Sequence, residues 1–377
     1  MDYNLACIIS IVHNKLFTTY CSLITSFLFL LSCQPSPTPP PQPQPSLILY
    51  RFNPPAFIEY SEDFQPIKEI PFSIPPSCGL FNTFPAPIGQ FIAIELSCPN
   101  GQTVLYLDTS TSLSAGSETG APTQPVTASD SHFLAWTRDG NAAYLKIDSL
   151  GNPRVIRADV DGGQVDISIT EYTYDLAVNP VNDDFTFTFS RGLGYGSELH
   201  VTQYEVRNTR QLYADQYNYI SFARFSPDGS QIAFIKIPDT QTPFTVGELW
   251  VIDSDGANPR KLAAADAGHG YAANWSPDGN RIAFVVRENP DDETANQSSD
   301  ALVSNIYVID IETGVLSQIT NFMGGRAETP FWSPDGNTLA FNVVVNGRMN
   351  VSIADVMSGE IKVLETESAC CPAWMRK

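Results

Sequence analysis

An all-β fold, in the form of a β-propeller of four-stranded antiparallel blades, is what this sequence predicts, and three observations predict it. One motif occurs three times: Ala-Arg-Phe-Ser-Pro-Asp-Gly-Ser-Gln-Ile-Ala-Phe from Ala223, Ala-Asn-Trp-Ser-Pro-Asp-Gly-Asn-Arg-Ile-Ala-Phe from Ala273, and Pro-Phe-Trp-Ser-Pro-Asp-Gly-Asn-Thr-Leu-Ala-Phe from Pro330. Each copy is followed by a further apolar run that ends in Asp and a Gly-containing turn. The composition, 11% aromatic with 29 Pro and 24 Gly and no amphipathic helical run, suits many short strands joined by turns. A motif restated at fixed intervals marks a repeat architecture.

Residues 1–32 read as an export signal. Lys15 precedes an apolar stretch, 16–31, that ends in Leu30-Leu31-Ser32-Cys33. The stretch is short for a spanning helix and is interrupted by Thr, Ser and Tyr. A positive flank, an apolar core and a small residue before the cut describe a signal peptide. Its last four residues resemble a bacterial lipobox, which makes Cys33 the lipidated first residue of an exported, membrane-anchored envelope lipoprotein. Residues 34–46 hold seven prolines in thirteen positions. Such a segment extends as polyproline II at about 3.1 Å per residue, giving a tether of roughly 40 Å. The organisation is therefore signal 1–32, lipidated Cys33 and Pro-rich linker 33–46, and propeller 47–377.

Within the propeller, 47–52, 56–61 and 66–70 read as three strands that lack a first partner. Degenerate repeats follow, beginning near 80, 132 and 174. The second contains Trp136-Thr137-Arg138-Asp139-Gly140 and ends in Asp159-Val160-Asp161-Gly162; the third contains Val178-Asn179-Pro180. Clear repeats begin near 220, 271 and 328. In these, Phe225, Trp275 and Trp332 end a first strand, and Ser-Pro-Asp-Gly turns the chain. Proline sets φ at one corner, Asp bonds the backbone ahead of it, and Gly accepts positive φ. Second strands occupy 231–235, 281–286 and 338–343. Third strands occupy 248–253, 305–310 and 350–355, and shorter, more polar fourth strands 260–263, 316–320 and 361–364. Cys371-Pro372-Ala373-Trp374 reads as one more first strand. Pairing it with the three N-terminal strands completes a seventh blade and removes two exposed edges. Seven blades are favoured, with six and packed termini as the alternative.

Ser-Pro-Asp-Gly with Ile-Ala-Phe, followed by Leu-Trp-Val-Ile-Asp-Ser-Asp-Gly-Ala-Asn-Pro-Arg-Lys-Leu at 249–262, resembles the TolB-like β-propeller repeat family. The resemblance is close over 220–374 and degenerate over 80–215, and it leaves no room for the separate N-terminal domain that TolB carries. It implies the fold, but no single activity. Related repeats occur in periplasmic TolB, in prolyl-oligopeptidase-type peptidases and in some polysaccharide lyases.

The formal charge is −20. Such a surface repels phosphate backbones, so nucleic acid is not an expected partner. Of seven cysteines, Cys78, Cys98, Cys370 and Cys371 remain after Cys7, Cys21 and Cys33 are assigned to the signal and the lipid, and an even number in an exported chain points to disulfides. The four allow three pairings: antiparallel pairing of a hairpin makes Cys78–Cys98 one possible bridge. A bridge from Cys370 or Cys371 to Cys78 would lock the ring.

No catalytic motif is present. Gly116-Ser117-Glu118-Thr119-Gly120 is not a nucleophile elbow, and there is neither a Cys-x-x-Cys nor a His-Glu-x-x-His. No cofactor is expected. His132 and His269 lie where connections arrive at first strands, with Asp130, Asp175 and Glu328 at similar positions, and are the weak candidates for a metal. The same connections are rich in Tyr172, Tyr174, Tyr217, Tyr219 and Tyr271, with Arg326 and Glu328 in the sixth repeat. Tyr and Arg are the residue types of recognition hot spots. The acidic loop 288–304 reads as a solvated flap. The expected function is a monomeric, non-catalytic binding scaffold for an envelope or extracellular protein, peptide or glycan. The alternative is an extracellular metal-dependent polysaccharide lyase or hydrolase with its site at the same mouth.

Overall fold

Antiparallel hairpins account for nearly all of the computed structural model, which describes residues 45–375 apart from 111–122, 126–129, 149–152, 168, 171, 204–207, 241, 243, 267–271, 366 and 367. The strands are β1 (Ser46–Phe52), β2 (Pro55–Tyr60), β3 (Pro66–Pro71), β4 (Gly79–Pro85), β5 (Phe91–Cys98), β6 (Gly101–Asp108), β7 (Thr123–Pro125), β8 (Asp130–Trp136), β9 (Ala142–Asp148), β10 (Pro153–Asp159), β11 (Gln164–Asp166), β12 (Thr173–Val178), β13 (Phe185–Phe189) and β14 (Ser197–Gln203). They continue as β15 (Asn208–Asp215), β16 (Asn218–Phe225), β17 (Gln231–Pro238), β18 (Val246–Asp253), β19 (Arg260–Asp266), β20 (Asn274–Trp275), β21 (Arg281–Arg287), β22 (Ser304–Asp310), β23 (Leu316–Gln318), β24 (Arg326–Trp332), β25 (Thr338–Val345), β26 (Arg348–Asp355), β27 (Ile361–Glu365) and β28 (Ala369–Met375).

Consecutive strands pair in fours from β4 to β27. The groups β20–β23 and β24–β27 are joined into one sheet by a single parallel bridge between Ser304 and Arg326. The first sheet has the order β28-β1-β2-β3, so the last strand of the chain pairs with the first. The all-β expectation holds, and the predicted strand positions match to within a few residues.

Hydrophobic clusters tie each four-strand group to the next. Tyr50 and Phe57 pack with Ile92 and Leu107, and Ala93 with Trp136 and Leu145. Tyr144 packs with Phe185, Leu199 with Phe234, and Ile235 with Phe284. Val285 packs with Phe341, and Val351 with Leu47 and Leu49 of the first sheet. Middle strands are buried on both faces and so read as continuous apolar runs; Ile232, Ala233, Phe234 and Ile235 of β17 are all buried. Outer strands face water, and β11 and β15 are correspondingly polar.

A recurring hydrogen bond fixes one first strand to the one before it. The indole Nε1 of Trp136 donates to Phe84 O (2.7 Å), that of Trp275 to Arg224 O (3.0 Å), and that of Trp332 to Asn274 O (3.0 Å). A buried indole needs a partner, and here the partner is the neighbouring backbone.

The Ser-Pro-Asp-Gly turns are closed by their own side chains. Ser276 Oγ donates to Asp278 Oδ1 (2.5 Å) and Arg281 O (3.1 Å), and accepts from Arg281 N (2.9 Å). Ser226 with Asp228 and Ser333 with Asp335 repeat the pattern, and Thr137 with Asp139 reproduces it in a degenerate copy. Gly229, at φ 72°, also leaves no space for a Cβ, which would lie 2.4 Å from the Asn179 amide of the preceding sheet. Replacing Ser276 by Ala strands the Arg281 amide in a buried place and is expected to cost about 1–3 kcal/mol in a urea titration.

The Ser226 hydroxyl and the Ser230 amide hold Asp228 below the usual carboxylate range. Asp278 and Asp335 are lowered too: burial opposes this, but the hydroxyls of Ser276 and Ser333 outweigh it. Depressed folded values mean stability that is complete above the unfolded carboxylate pKa of about 4 and is lost as pH falls through the folded values.

Cys78 is bonded to Cys98, as the hairpin geometry predicts, whereas Cys370 is bonded to its neighbour Cys371. The alternative bridge from either of these to Cys78 is therefore not made. Adjacent side chains of a regular strand point to opposite faces. Here β28 carries a bulge opposite Ile48–Tyr50, and Cys371 takes a φ of 63°, which turns its sulfur to that of Cys370. Corresponding bulges with positive φ occur at Phe222 in β16 and Thr329 in β24, so the backbone shape belongs to the repeat.

Candidate functional site

The antiparallel order places two sets of connections at one end of the sheets. These are the loops between second and third strands and the segments leading into each first strand. The Ser-Pro-Asp-Gly turns lie at the opposite end. The two ends differ in what they offer.

At the loop end, Tyr172 is 48% exposed and Tyr217 is 73% exposed. Tyr174 and Tyr219 are partly buried and meet edge to face, with ring centroids 6.2 Å apart. The Tyr174 hydroxyl donates to Ile220 O, and burial pushes its pKa up to about 12. Of the predicted tyrosines, then, Tyr172 and Tyr217 are free to meet a ligand, while Tyr174 and Tyr219 buttress the strands. Tyr271, His269 and Cys33 lie outside the described residues.

The charged candidates are mostly held by neighbours. Arg326 pairs with Glu328 and donates to Ser299 O (2.7 Å). Asp175 accepts from Ala223 N (2.8 Å) and pairs with Arg224 (3.3 Å). Asp130 accepts from Gln102 N. Among the described residues no three His, Cys, Asp or Glu side chains converge as metal ligands.

His132 meets Glu95, a carboxylate on β5 that the sequence pattern does not single out. His132 Nδ1 lies 3.1 Å from Glu95 Oε1, and Phe133 N donates to Glu95 Oε2. Glu95 is 2% exposed. The only sequence signal is an acid ending an apolar run, Phe91-Ile92-Ala93-Ile94-Glu95. The hydrogen bond to Glu95 raises the His132 pKa, opposed by burial and by Lys146. A raised folded value gives stability that is present below the unfolded value of about 6.5 and is lost as pH rises through the folded one. Glu95→Gln is expected to move the His132 midpoint down, as followed by imidazole NMR shifts against pH.

The acidic loop 288–303 is not a free flap. The buried guanidinium of Arg287 donates to Asn289 O (3.0 Å), Asn296 Oδ1 (2.9 Å) and Asp292 O (3.1 Å), folding the loop around itself. The segment 190–196 is a further feature that motif reasoning passes over. It exposes Leu193 and Tyr195, the latter by 70%, between Gly192, Gly194 and Gly196, all with positive φ. Its signal is the alternation of glycine with large apolar residues.

Two clefts open at the turn end, one of about 240 Å³ beside Asn179 and Arg210 and one of about 350 Å³ between Pro227 and Pro277. They are the furrows left between successive projecting turns, lined by residues that close those turns, so they follow from the repeat.

A model of the TolB β-propeller domain matches residues 247–375. Residues 247–375 carry TolB-like propeller repeats. Solved structures resemble this chain at low identity. TolB from Acinetobacter baumannii is 17% identical over 85% of this chain and 78% of its own, with a TM-score of 0.49. An oligogalacturonate lyase in complex with manganese is 14% identical over 85% of this chain and 84% of its own, with a TM-score of 0.55. A puromycin hydrolase is 13% identical over 86% of this chain, with a TM-score of 0.59, and this chain spans 54% of its length. The last two likenesses carry the fold alone. Among curated proteins there is no sequence match.

Proposed function

We propose that this protein is an exported lipoprotein, lipidated at Cys33, whose propeller binds a protein, peptide or glycan of the cell envelope at its loop end without catalysis. The ring in this reading has seven blades, with β28 closing on β1. Support for that closure comes from the strand order β28-β1-β2-β3 and from the succession of clusters that returns from Val351 to Leu47 and Leu49. The observation that carries the binding reading is the division of labour between the two ends. Repeated polar residues at the turn end are consumed in closing turns and the large side chains exposed there, Ile88, Val181, Val315 and Met357, are aliphatic, whereas the loop end exposes the aromatic rings of Tyr172, Tyr195 and Tyr217.

The second reading, a metal-dependent lyase or hydrolase, is favoured by His132, which stays half exposed at the loop end beside buried Glu95. One preparation of the full chain separates the two readings. Binding predicts capture of an envelope component that is lost in Tyr172→Ala/Tyr217→Ala and kept in His132→Ala/His269→Ala. Stoichiometric transition metal that disappears in the histidine double variant would instead favour the enzyme.

A further inference from the structure

The loops between second and third strands are unequal, and their inequality is organised. A two-residue connection suffices for a hairpin, and 53–54, 99–100 and 346–347 have that length. Three consecutive sheets carry far more: 190–196, 239–245 and 288–303. These long loops hold one another. Asp239 Oδ2 accepts from Gly194 N (2.8 Å) and Gly196 N (3.0 Å), and Asp239 N donates to Tyr217 O (2.9 Å). Phe244 N donates to Asn296 O (3.2 Å), linking the second loop to the third. Arg326 donates to Ser299 O, linking the third to the next sheet. The result is a continuous ledge along one arc of the loop end, built from chain the hairpins do not require.

The ledge has a definite chemistry. Its first part presents exposed Leu193, Tyr195 and Tyr217. Its last part presents exposed Asp291, Glu293 and Asp300. Among the described residues of the three loops there are six acids and one base, Arg191. Aromatic faces attract a cation through the ring quadrupole and carboxylates through Coulomb attraction, so an extended cationic segment that follows the ledge meets first one and then the other.

We propose that this ledge is the docking surface for a Lys- or Arg-bearing extended segment of a partner protein. The proposal rests on the binding reading above and names the partner's chemistry. A neutral glycan would use the rings but not the carboxylates, and an acidic glycan or peptide would be repelled.

The test measures binding of fluorescein-labelled (Gly-Lys)5 to the full chain by anisotropy, with (Gly-Glu)5 and maltohexaose as comparisons. The lysine peptide is expected to bind most tightly and to weaken with added salt. Tyr195→Ala/Tyr217→Ala is expected to reduce its affinity about tenfold, the loss of one modest hot spot. Asp291→Asn/Glu293→Gln/Asp300→Asn is expected to reduce it by at least about threefold, since each rim charge contributes only a little. Asp161→Asn/Glu312→Gln/Glu360→Gln, which removes the same charge from the turn end, is expected to leave it unchanged. Equal losses in the two charge variants would mean that the peptide senses only net charge and would overturn the proposal. So would preference for (Gly-Glu)5 or maltohexaose. If the lysine peptide fails to bind while capture of an envelope component still depends on Tyr217, the cationic partner is refuted and the binding reading survives.

Discussion

Deleting residues 369–377 is expected to abolish cooperative unfolding of this protein. The deletion removes β28, whose Ala369, Cys370, Ala373 and Met375 are buried and whose backbone pairs with Ser46–Arg51 of β1. It leaves β1 as an open edge carrying Leu47, Ile48, Leu49 and Tyr50, all buried in the intact protein. An uncovered apolar edge strand pairs with other chains. The loss should be comparable with the whole folding free energy of a typical domain, about 5–15 kcal/mol. Size-exclusion chromatography and circular dichroism during heating read this directly. A truncated chain that stays monomeric and melts at the wild-type temperature would show that β28 is an accessory.

Trp332→Ala should produce the largest point-mutation effect among the repeated residues. Trp332 is 7% exposed, its indole donates to Asn274 O, and the Arg281 guanidinium lies 4.7 Å above its ring. Removing a buried Trp costs about 3–5 kcal/mol. Trp332→Phe retains most of the burial and loses the hydrogen bond, so it should cost about 1 kcal/mol beyond the lost packing. Urea midpoints of the two variants separate the contributions. If both cost the same, the indole hydrogen bond between successive first strands outweighs the packing of the ring, contrary to this expectation.

The turns were legible in the sequence because their chemistry is local. Ser276, Asp278 and Arg281 lie within six positions, and the same spacing recurs at Ser226 and Ser333. The split first sheet was legible because Cys371-Pro372-Ala373-Trp374 begins a repeat unit that three unpaired N-terminal strands complete. What remained hidden depends on contacts between distant positions or on backbone that departs from a regular strand. Asp239 reaches Gly194 and Gly196 across 45 and 43 residues, and Glu95 reaches His132 across 37. The Cys370–Cys371 bond needs a bulge that the sequence does not announce. The tyrosines were found as a class, but their division into exposed Tyr172 and Tyr217 and bracing Tyr174 and Tyr219 follows from where the first strands begin, since the first pair precede β12 and β16 and the second pair lie within them. The same kind of information separates the acidic loop as folded from the flap its composition suggested, since the organising residue, Arg287, reads in sequence as the end of an apolar strand.

The central claim is that the repeated motif builds the molecule and the non-repeating loop end does its work. Photo-crosslinking in intact cells tests it most directly, with a benzophenone amino acid placed at Tyr195 or Tyr217 at the loop end and at Asn280 or Asn337 at the turn end. The account predicts specific adducts from Tyr195 and Tyr217 and none from Asn280 or Asn337. Adducts from the turn-end positions alone would contradict it.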